Sequence, residues 1–104
     1  MIICLCGSTR FKPIFMEAAE KLTLAGNIIV MPHVFHHDAD SQPISEEQKA
    51  MLDDLHKRKI DLADKVVVIT DETRYVGKST LSEMGYAGLH GKTVTYWEEI
   101  KNEY

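Results

Sequence analysis

Short apolar runs alternate with stretches of helical periodicity along this chain. Four of the runs are dense in apolar residues, many of them β-branched, and each predicts a buried strand: residues 1–6, 27–32, 65–70 and 92–97. Between them, apolar residues recur every three or four positions, as in helices that pack one face against a sheet. This alternation predicts an α/β fold.

Residues with special backbone preferences mark the ends of the first and third helices. Pro13 stands where the first helix can begin, and Gly26 follows its last turn. The apolar residues of this helix share one face: Ile14, Phe15, Ala18, Ala19 and Leu22. We expect the third helix to run from about Thr80 to His90 and to end at Gly91.

The second helix carries a capping-box signal at its start. Ser45 is followed three residues later by Gln48, so the two side chains can satisfy each other's backbone amides. The helix is expected to continue to about Ala63. Its predicted apolar stripe consists of Met51, Leu52, Leu55 and Leu62.

The order of the elements predicts their topology. Strands that alternate with helices form a parallel sheet through right-handed crossovers. With helices on both faces, the expected strand order is 2-1-3-4, a small flavodoxin-like three-layer sandwich formed by one domain, residues 1–104. Ligands bind such sheets where the winding reverses, outside the carboxyl ends of the first and third strands. The loops after these two strands should therefore form the site.

Charge and cysteine content limit the kinds of partner and the cellular location expected for this protein. The net charge is −4 and the basic residues are scattered, which disfavours nucleic acid and favours a small molecule. Cys4 and Cys6 lie two apart in a predicted strand, so both face the same side and no disulfide framework is expected. The start of the chain resembles neither a signal peptide nor a membrane span. We expect a cytoplasmic protein with no membrane partner.

The sequence "GKST" after the third strand resembles the end of a nucleotide-triphosphate phosphate loop. That motif requires a glycine where this chain has Glu72, which disfavours ATP-dependent phosphoryl transfer. Backbone amides at the start of the following helix can still bind an anion. The candidate binding residues here are Gly77, Ser79 and Thr80.

Glu83 admits two interpretations. It lies three residues after Thr80, so it can close a capping box and have no role beyond the helix start. A carboxylate in the first turn of a helix is also held ionised by the helix dipole, which suits a nucleophile better than a general acid. The spacing of Thr80 and Glu83 does not decide between a capping residue and a nucleophile.

A polar loop follows the first strand. Gly7 permits close backbone approach, Ser8 and Thr9 supply hydroxyls, and Arg10 is a two-pronged donor suited to phosphate. An ordinary polar turn with a helix cap is the alternative. Because the loop lies at the predicted switch point, we favour binding of an anion or a sugar.

Histidines and aspartates crowd a loop after the second strand, and such side chains are good ligands for transition metals. They are His33, His36, His37, Asp38 and Asp40. Their spacing matches no recognised metal site, so a solvated loop is the preferred interpretation. We expect neither a metal nor a cofactor.

Taken together, "CGSTR", "DKVVVIT" and "SEMGYAGLHGK" resemble the nucleoside 2-deoxyribosyltransferase superfamily, which includes the nucleoside 5′-monophosphate N-glycosidases. The resemblance implies that Glu83 attacks the anomeric carbon of a nucleoside and forms a covalent glycosyl-enzyme. Water then completes hydrolysis, or a second base completes transfer. Similarity to the "GSIR" loop of the monophosphate-cleaving branch implies that Ser8, Thr9 and Arg10 hold a 5′-phosphate.

The chain departs from the superfamily pattern at several positions. His56 stands where a helical aspartate is expected, and it is a candidate acid or orienting group. The alternative interpretation is a histidine on the helix surface with no role in the site. Asp53, one helical turn earlier, is another possible replacement for the aspartate. Cys4 stands where relatives often have a tyrosine near the sugar. A non-catalytic nucleotide-binding module therefore remains the alternative function. The resemblance also implies a homodimer or higher oligomer, with Tyr104 near an interface.

Overall fold

The computed structural model describes residues 1–35 and 43–104. Its four strands pair in parallel in one sheet of order β2-β1-β3-β4, which confirms the predicted topology. The strands are β1 (Ile2–Gly7), β2 (Ile28–Val30), β3 (Lys65–Ile69) and β4 (Thr93–Tyr96). The pairing of β1 with β3 brings together strands that are not consecutive, so two helices and β2 lie between them in the chain.

Helices cover both faces of this sheet. Those of the described residues are α1 (Lys12–Leu24), α2 (Glu46–Leu62), α3 (Lys78–Leu89) and α4 (Trp97–Ile100). Residues of α1 and α4 pack on one face, and residues of α2 and α3 pack on the other, which gives the three layers expected. In the part of the chain described here, no helix has both the length and the apolar character needed to cross a bilayer.

The α1 face of the sheet is an apolar core. Phe15, Ala18 and Leu22 of α1 are buried there, and Ile14 and Ala19 pack against them, so the predicted helix face is confirmed. The strands contribute alternate residues, since side chains two apart in a strand lie on the same face. The buried residues that complete this core are Ile3, Leu5, Met31, Val67, Ile69 and Trp97.

The opposite face is more polar at one end. Cys4 and Cys6 of β1 lie on it as free thiols, as the strand periodicity predicts, beside Val66 and Val68 of β3. Ile60 of α2 packs over them. The second layer thus combines a small apolar core with a buried pair of thiols.

The predicted apolar stripe of α2 is wrong at three of its four positions, whereas the fourth, Leu52, is half-buried at the wall of a cavity. Met51, Leu55 and Leu62 are 53%, 41% and 67% exposed, whereas the buried residues of this helix are His56 and Ile60. The capping box of Ser45 and Gln48 is present, so the start of the helix is as predicted. The helix is rotated because its buried face packs on the thiol-bearing side of β1, where an imidazole finds polar partners that a leucine would not.

Gly7 ends β1 at a point where two backbones nearly touch. It is paired with Ile69 of β3, and a β-carbon at position 7 would lie 2.5 Å from the carbonyl oxygen of Ile69. No side chain fits there without a backbone shift. A glycine is therefore required for β1 and β3 to end side by side.

Gly7→Ala should lower the free energy of unfolding by roughly 1–3 kcal/mol, because the added methyl group forces the strand ends apart. Gly85→Ala is the matched control: Gly85 lies in α3, a β-carbon there meets no atom within 4 Å, and alanine should stabilise the helix by about 0.5–1 kcal/mol. Urea denaturation of the two variants measures both changes. A Gly7→Ala protein as stable as the parent would contradict the close approach.

Candidate functional site

A cavity of about 540 Å³ opens at the carboxyl ends of β1 and β3. The structure brings all nine site residues predicted from the sequence to its wall. They are Gly7, Ser8, Thr9, Arg10, His56, Gly77, Ser79, Thr80 and Glu83. The two loops meet because the topology places the ends of β1 and β3 side by side; the roles of the residues stay predictions.

The loop after β1 is ordered by its own side chains. The Ser8 hydroxyl accepts hydrogen bonds from the Arg10 backbone amide at 3.4 Å and from Arg10 Nε at 3.1 Å, and it caps a 3₁₀ turn. The Arg10 guanidinium lies 4.5 Å from the centre of the Tyr75 ring and donates to its hydroxyl at 3.5 Å. Arg10 is thereby held at the cavity by Tyr75, a lining residue that the sequence analysis missed.

The start of α3 differs from the prediction. The helix begins at Lys78, two residues early, with Gly77 at its N-cap and no side-chain capping hydrogen bond. Glu83 consequently lies in the second turn, and the predicted capping box with Thr80 is not formed. The first amides of a helix have no intrahelical acceptor, so those of α3 are available to an anion in the cavity.

Glu83 and His56 form a nearly buried pair. Their side chains are 12% and 7% exposed, and His56 Nε2 lies 3.7 Å from Glu83 Oε2. Burial raises the pKa of Glu83 to about 7, although the charge of His56 opposes the rise. The expectation that the helix dipole holds this carboxylate ionised is therefore wrong, because the carboxylate lies beyond the first turn and out of water.

His56 is not a surface histidine. Burial lowers the pKa of His56. A hydrogen bond with Cys4 and the charge of Glu83 together raise this pKa by more than burial lowers it, so the pKa is raised overall. Its Nε2 lies 3.1 Å from Cys6 Sγ and 3.8 Å from Cys4 Sγ. The hydrogen bond between the thiols lowers the pKa of Cys4 to about 6 and raises that of Cys6.

Two residues of the "EMGYA…GK" motif lie away from the cavity and hold the helices together. The Tyr86 hydroxyl donates to Asp61 of α2 at 2.7 Å. Lys92 Nζ donates to the carbonyl oxygen of Ala63, just after α2, at 2.8 Å. These contacts hold α3 and the turn that follows it against the carboxyl end of α2.

Charged side chains from three elements line the cavity. The basic ones among the described residues are Arg10, Lys49, Lys59 and Lys78, against the carboxylates Asp53 and Glu83. Lys59 Nζ donates to the Met31 carbonyl oxygen at 2.7 Å and lies 3.2 Å from His33 Nδ1. The excess of cations suits an anionic ligand.

Lys49 and Lys59 also line the cavity but are not among the residues predicted for the site, although their spacing from His56 carries a signal. Residues 49, 52, 56 and 59 recur at the spacing of one helical face, and all four line the cavity. Leu52 is the apolar residue among these four, so this face of α2 does not form an apolar stripe.

The remaining candidates lie in several places. Asp53 and His33 line the cavity, whereas His36, His37, Asp38 and Asp40 fall outside the described residues. Tyr104 stacks on Trp97 of its own chain; its place at an interface stays a prediction.

The fold is similar to that of a solved 2-deoxyribosyltransferase from Leishmania mexicana, with a TM-score of 0.56 and 18% sequence identity. The alignment covers 91% of this chain and 62% of the other. At this identity the likeness establishes the fold alone. A scan against protein-family models finds no match, and a search of curated proteins by sequence finds none.

Lys92→Met should lower the free energy of unfolding by about 1 kcal/mol, because it removes the cation that binds the carbonyl end of α2. Lys101→Met is the matched control: Lys101 pairs with Glu98, three residues earlier, and its loss should change stability by less than about 0.5 kcal/mol. Urea denaturation measures both variants. An unchanged stability in Lys92→Met would contradict the structural role of this residue.

Proposed function

We propose that this protein acts on the N-glycosidic bond of a nucleoside or nucleoside 5′-monophosphate, with Glu83 as the nucleophile. The observation that carries this proposal is the position of Glu83: nearly buried, beside His56, in a cavity whose wall includes the "GSTR" loop. The motifs that resemble the nucleoside 2-deoxyribosyltransferase superfamily support it, as does the fold shared with the Leishmania mexicana enzyme.

The proposed chemistry has two steps. A Glu83 carboxylate oxygen attacks the anomeric carbon, and the new carbon–oxygen bond forms as the carbon–nitrogen bond breaks. The base departs with the bonding electron pair and takes up a proton from solvent, and the nucleophile of the second step returns a proton to solvent. Water, or the nitrogen of a second base, then attacks the same carbon and releases the carboxylate. Hydrolysis and transfer differ only in this second nucleophile.

His56 is proposed as the residue that positions Glu83. It lies where the superfamily resemblance leads one to expect a carboxylate, and its Nε2 is 3.7 Å from the Glu83 carboxylate. Both side chains are nearly buried, which limits their movement relative to each other. Asp53, which also lines the cavity, is the second candidate for the missing carboxylate.

The phosphate of a nucleotide is proposed to bind between the loop after β1 and the amino end of α3. Ser8, Thr9 and Arg10 supply two hydroxyls and a guanidinium, and the amino end of α3 supplies backbone amides. The cavity of about 540 Å³ falls within the usual size of small-molecule sites, roughly 300–1,000 Å³. Its excess of basic side chains favours a monophosphate over an uncharged nucleoside.

Glu83→Gln should reduce base release by at least about 1,000-fold while leaving nucleotide binding largely intact, because the amide keeps the shape but loses the nucleophile. The assay incubates the protein with ribo- and deoxyribonucleosides and their monophosphates, with and without a second free base, and follows release and exchange by chromatography. Glu72→Gln is the matched control, since Glu72 is exposed and outside the cavity wall.

Full turnover by Glu83→Gln would remove Glu83 from the mechanism. Saturable nucleotide binding by the parent protein with no base released over long incubation would favour the alternative, a binding module that uses the same cavity.

Arg10→Gln should weaken binding of a nucleoside monophosphate by about 10- to 100-fold, because a charge-assisted hydrogen bond to the phosphate is lost. Binding of the matching nucleoside should change little. Calorimetric titration with both ligands separates the two effects. Equal weakening for both would show that Arg10 does not contact the phosphate.

A further inference from the structure

Three metal-ligating side chains converge beneath the cavity. The sulfur atoms of Cys4 and Cys6 and a ring nitrogen of His56 all lie within 4.8 Å of one another, and all three residues are buried. We propose that these residues bind a zinc ion whose fourth coordination position faces Glu83. This inference goes beyond the proposed reaction and does not depend on it; it also replaces the sequence-based expectation that the protein has no metal.

The strand geometry favours a shared ligand over a covalent bond between the thiols. Residues two apart in an extended strand carry parallel side chains whose β-carbons are about 6.6 Å apart. A disulfide requires about 4 Å between β-carbons. Cys4 and Cys6 therefore cannot be oxidised to each other without distorting β1, but rotation of their side chains brings both sulfur atoms to a common third atom.

The distances match a tetrahedral site. Zinc–sulfur and zinc–nitrogen bonds of about 2.3 and 2.05 Å imply a sulfur–nitrogen separation of about 3.6 Å and a sulfur–sulfur separation of about 3.8 Å. The two observed sulfur–nitrogen distances, 3.1 and 3.8 Å, lie on either side of the first value. On coordination the two sulfur–nitrogen distances would change by about 0.5 and 0.2 Å, and the sulfur atoms, which lie within 4.8 Å of each other, would be about 3.8 Å apart.

Three polar groups compete for one nitrogen atom of His56. Both thiols and the Glu83 carboxylate approach Nε2, at distances between 3.1 and 3.8 Å. A ring nitrogen has one proton or one lone pair, so it can satisfy only one of them by hydrogen bonding. A metal ion bound to Nε2 would satisfy both thiols and lie next to the carboxylate.

Charge and donor type select the metal. Neither thiol has accessible surface, so two thiolates there require a compensating charge, which a dication supplies as the two thiol protons leave. Sulfur and imidazole donors favour zinc over magnesium or calcium, which prefer oxygen. In the zinc-loaded protein, His56 would act on Glu83 through the metal and not by direct contact.

The test uses tag-free full-length protein, stripped with a chelator under reducing conditions and titrated with Zn²⁺ or Co²⁺. We expect about one metal ion per chain and, with Co²⁺, the near-ultraviolet charge-transfer absorption of thiolate ligands. Cys6→Ser and His56→Ala should each weaken zinc binding by more than about 10-fold, since they remove ligands and not merely supporting groups. His90→Ala, an exposed histidine outside the cluster, is the matched control and should bind zinc normally.

Circular dichroism tests whether each variant is folded. If Cys6→Ser does not fold, Cys4→Ser tests the role of the thiols in its place. A folded parent protein without stoichiometric zinc binding and without thiolate absorption would overturn the proposal. Undiminished binding in the folded cysteine variants would do the same. These readouts need no substrate, so they are independent of base release by Glu83.

Discussion

The direct pairing of β1 with β3 is the constraint on which the rest of this structure depends. It requires a glycine at position 7, because the backbone of Ile69 leaves no room for a side chain. With the strand ends side by side, the loop that carries Arg10 and the loop that leads into α3 open into the same cavity. The residues proposed to contact a phosphate and the proposed nucleophile Glu83 are placed by this arrangement.

The second constraint is the polar cluster under α2 and α3. Burial of thiols, an imidazole and a carboxylate costs free energy unless each finds a partner. Here both thiols and the Glu83 carboxylate lie within 3.8 Å of His56 Nε2. Burial is the main cause of the raised pKa of Glu83, and the charge of His56 opposes it. Because His56 is on the buried side of α2, Met51 and Leu55 are exposed. The same crowding around His56 Nε2 underlies the proposed zinc site, so the position of Glu83 and the possibility of metal binding have a common physical origin.

Residues of the single motif "SEMGYAGLHGK" have different roles in the fold. Glu83 faces the cavity, whereas Tyr86 and Lys92 bind the far end of α2 and lock the two helices together. A resemblance carried by the whole motif is therefore partly a resemblance of architecture. It supports the proposed reaction through Glu83 alone, and this is why substitution of that residue discriminates between a glycosyl-transferring enzyme and a binding module.

The sequence by itself determined the strands, their parallel order and the meeting of the two loops, because runs of β-branched residues, helix caps and right-handed crossovers are local or topological properties. It also identified Gly7, Arg10 and Glu83 as residues of one site. It did not determine which face of α2 is buried, where α3 begins, or that Cys4, Cys6 and His56 share one small volume. Those features depend on contacts between residues distant in the chain. His56 is buried where two thiols from β1 and the Glu83 carboxylate lie close to it. The pKa of Glu83 is raised by its own burial in the folded chain, which its spacing from Thr80 does not reveal.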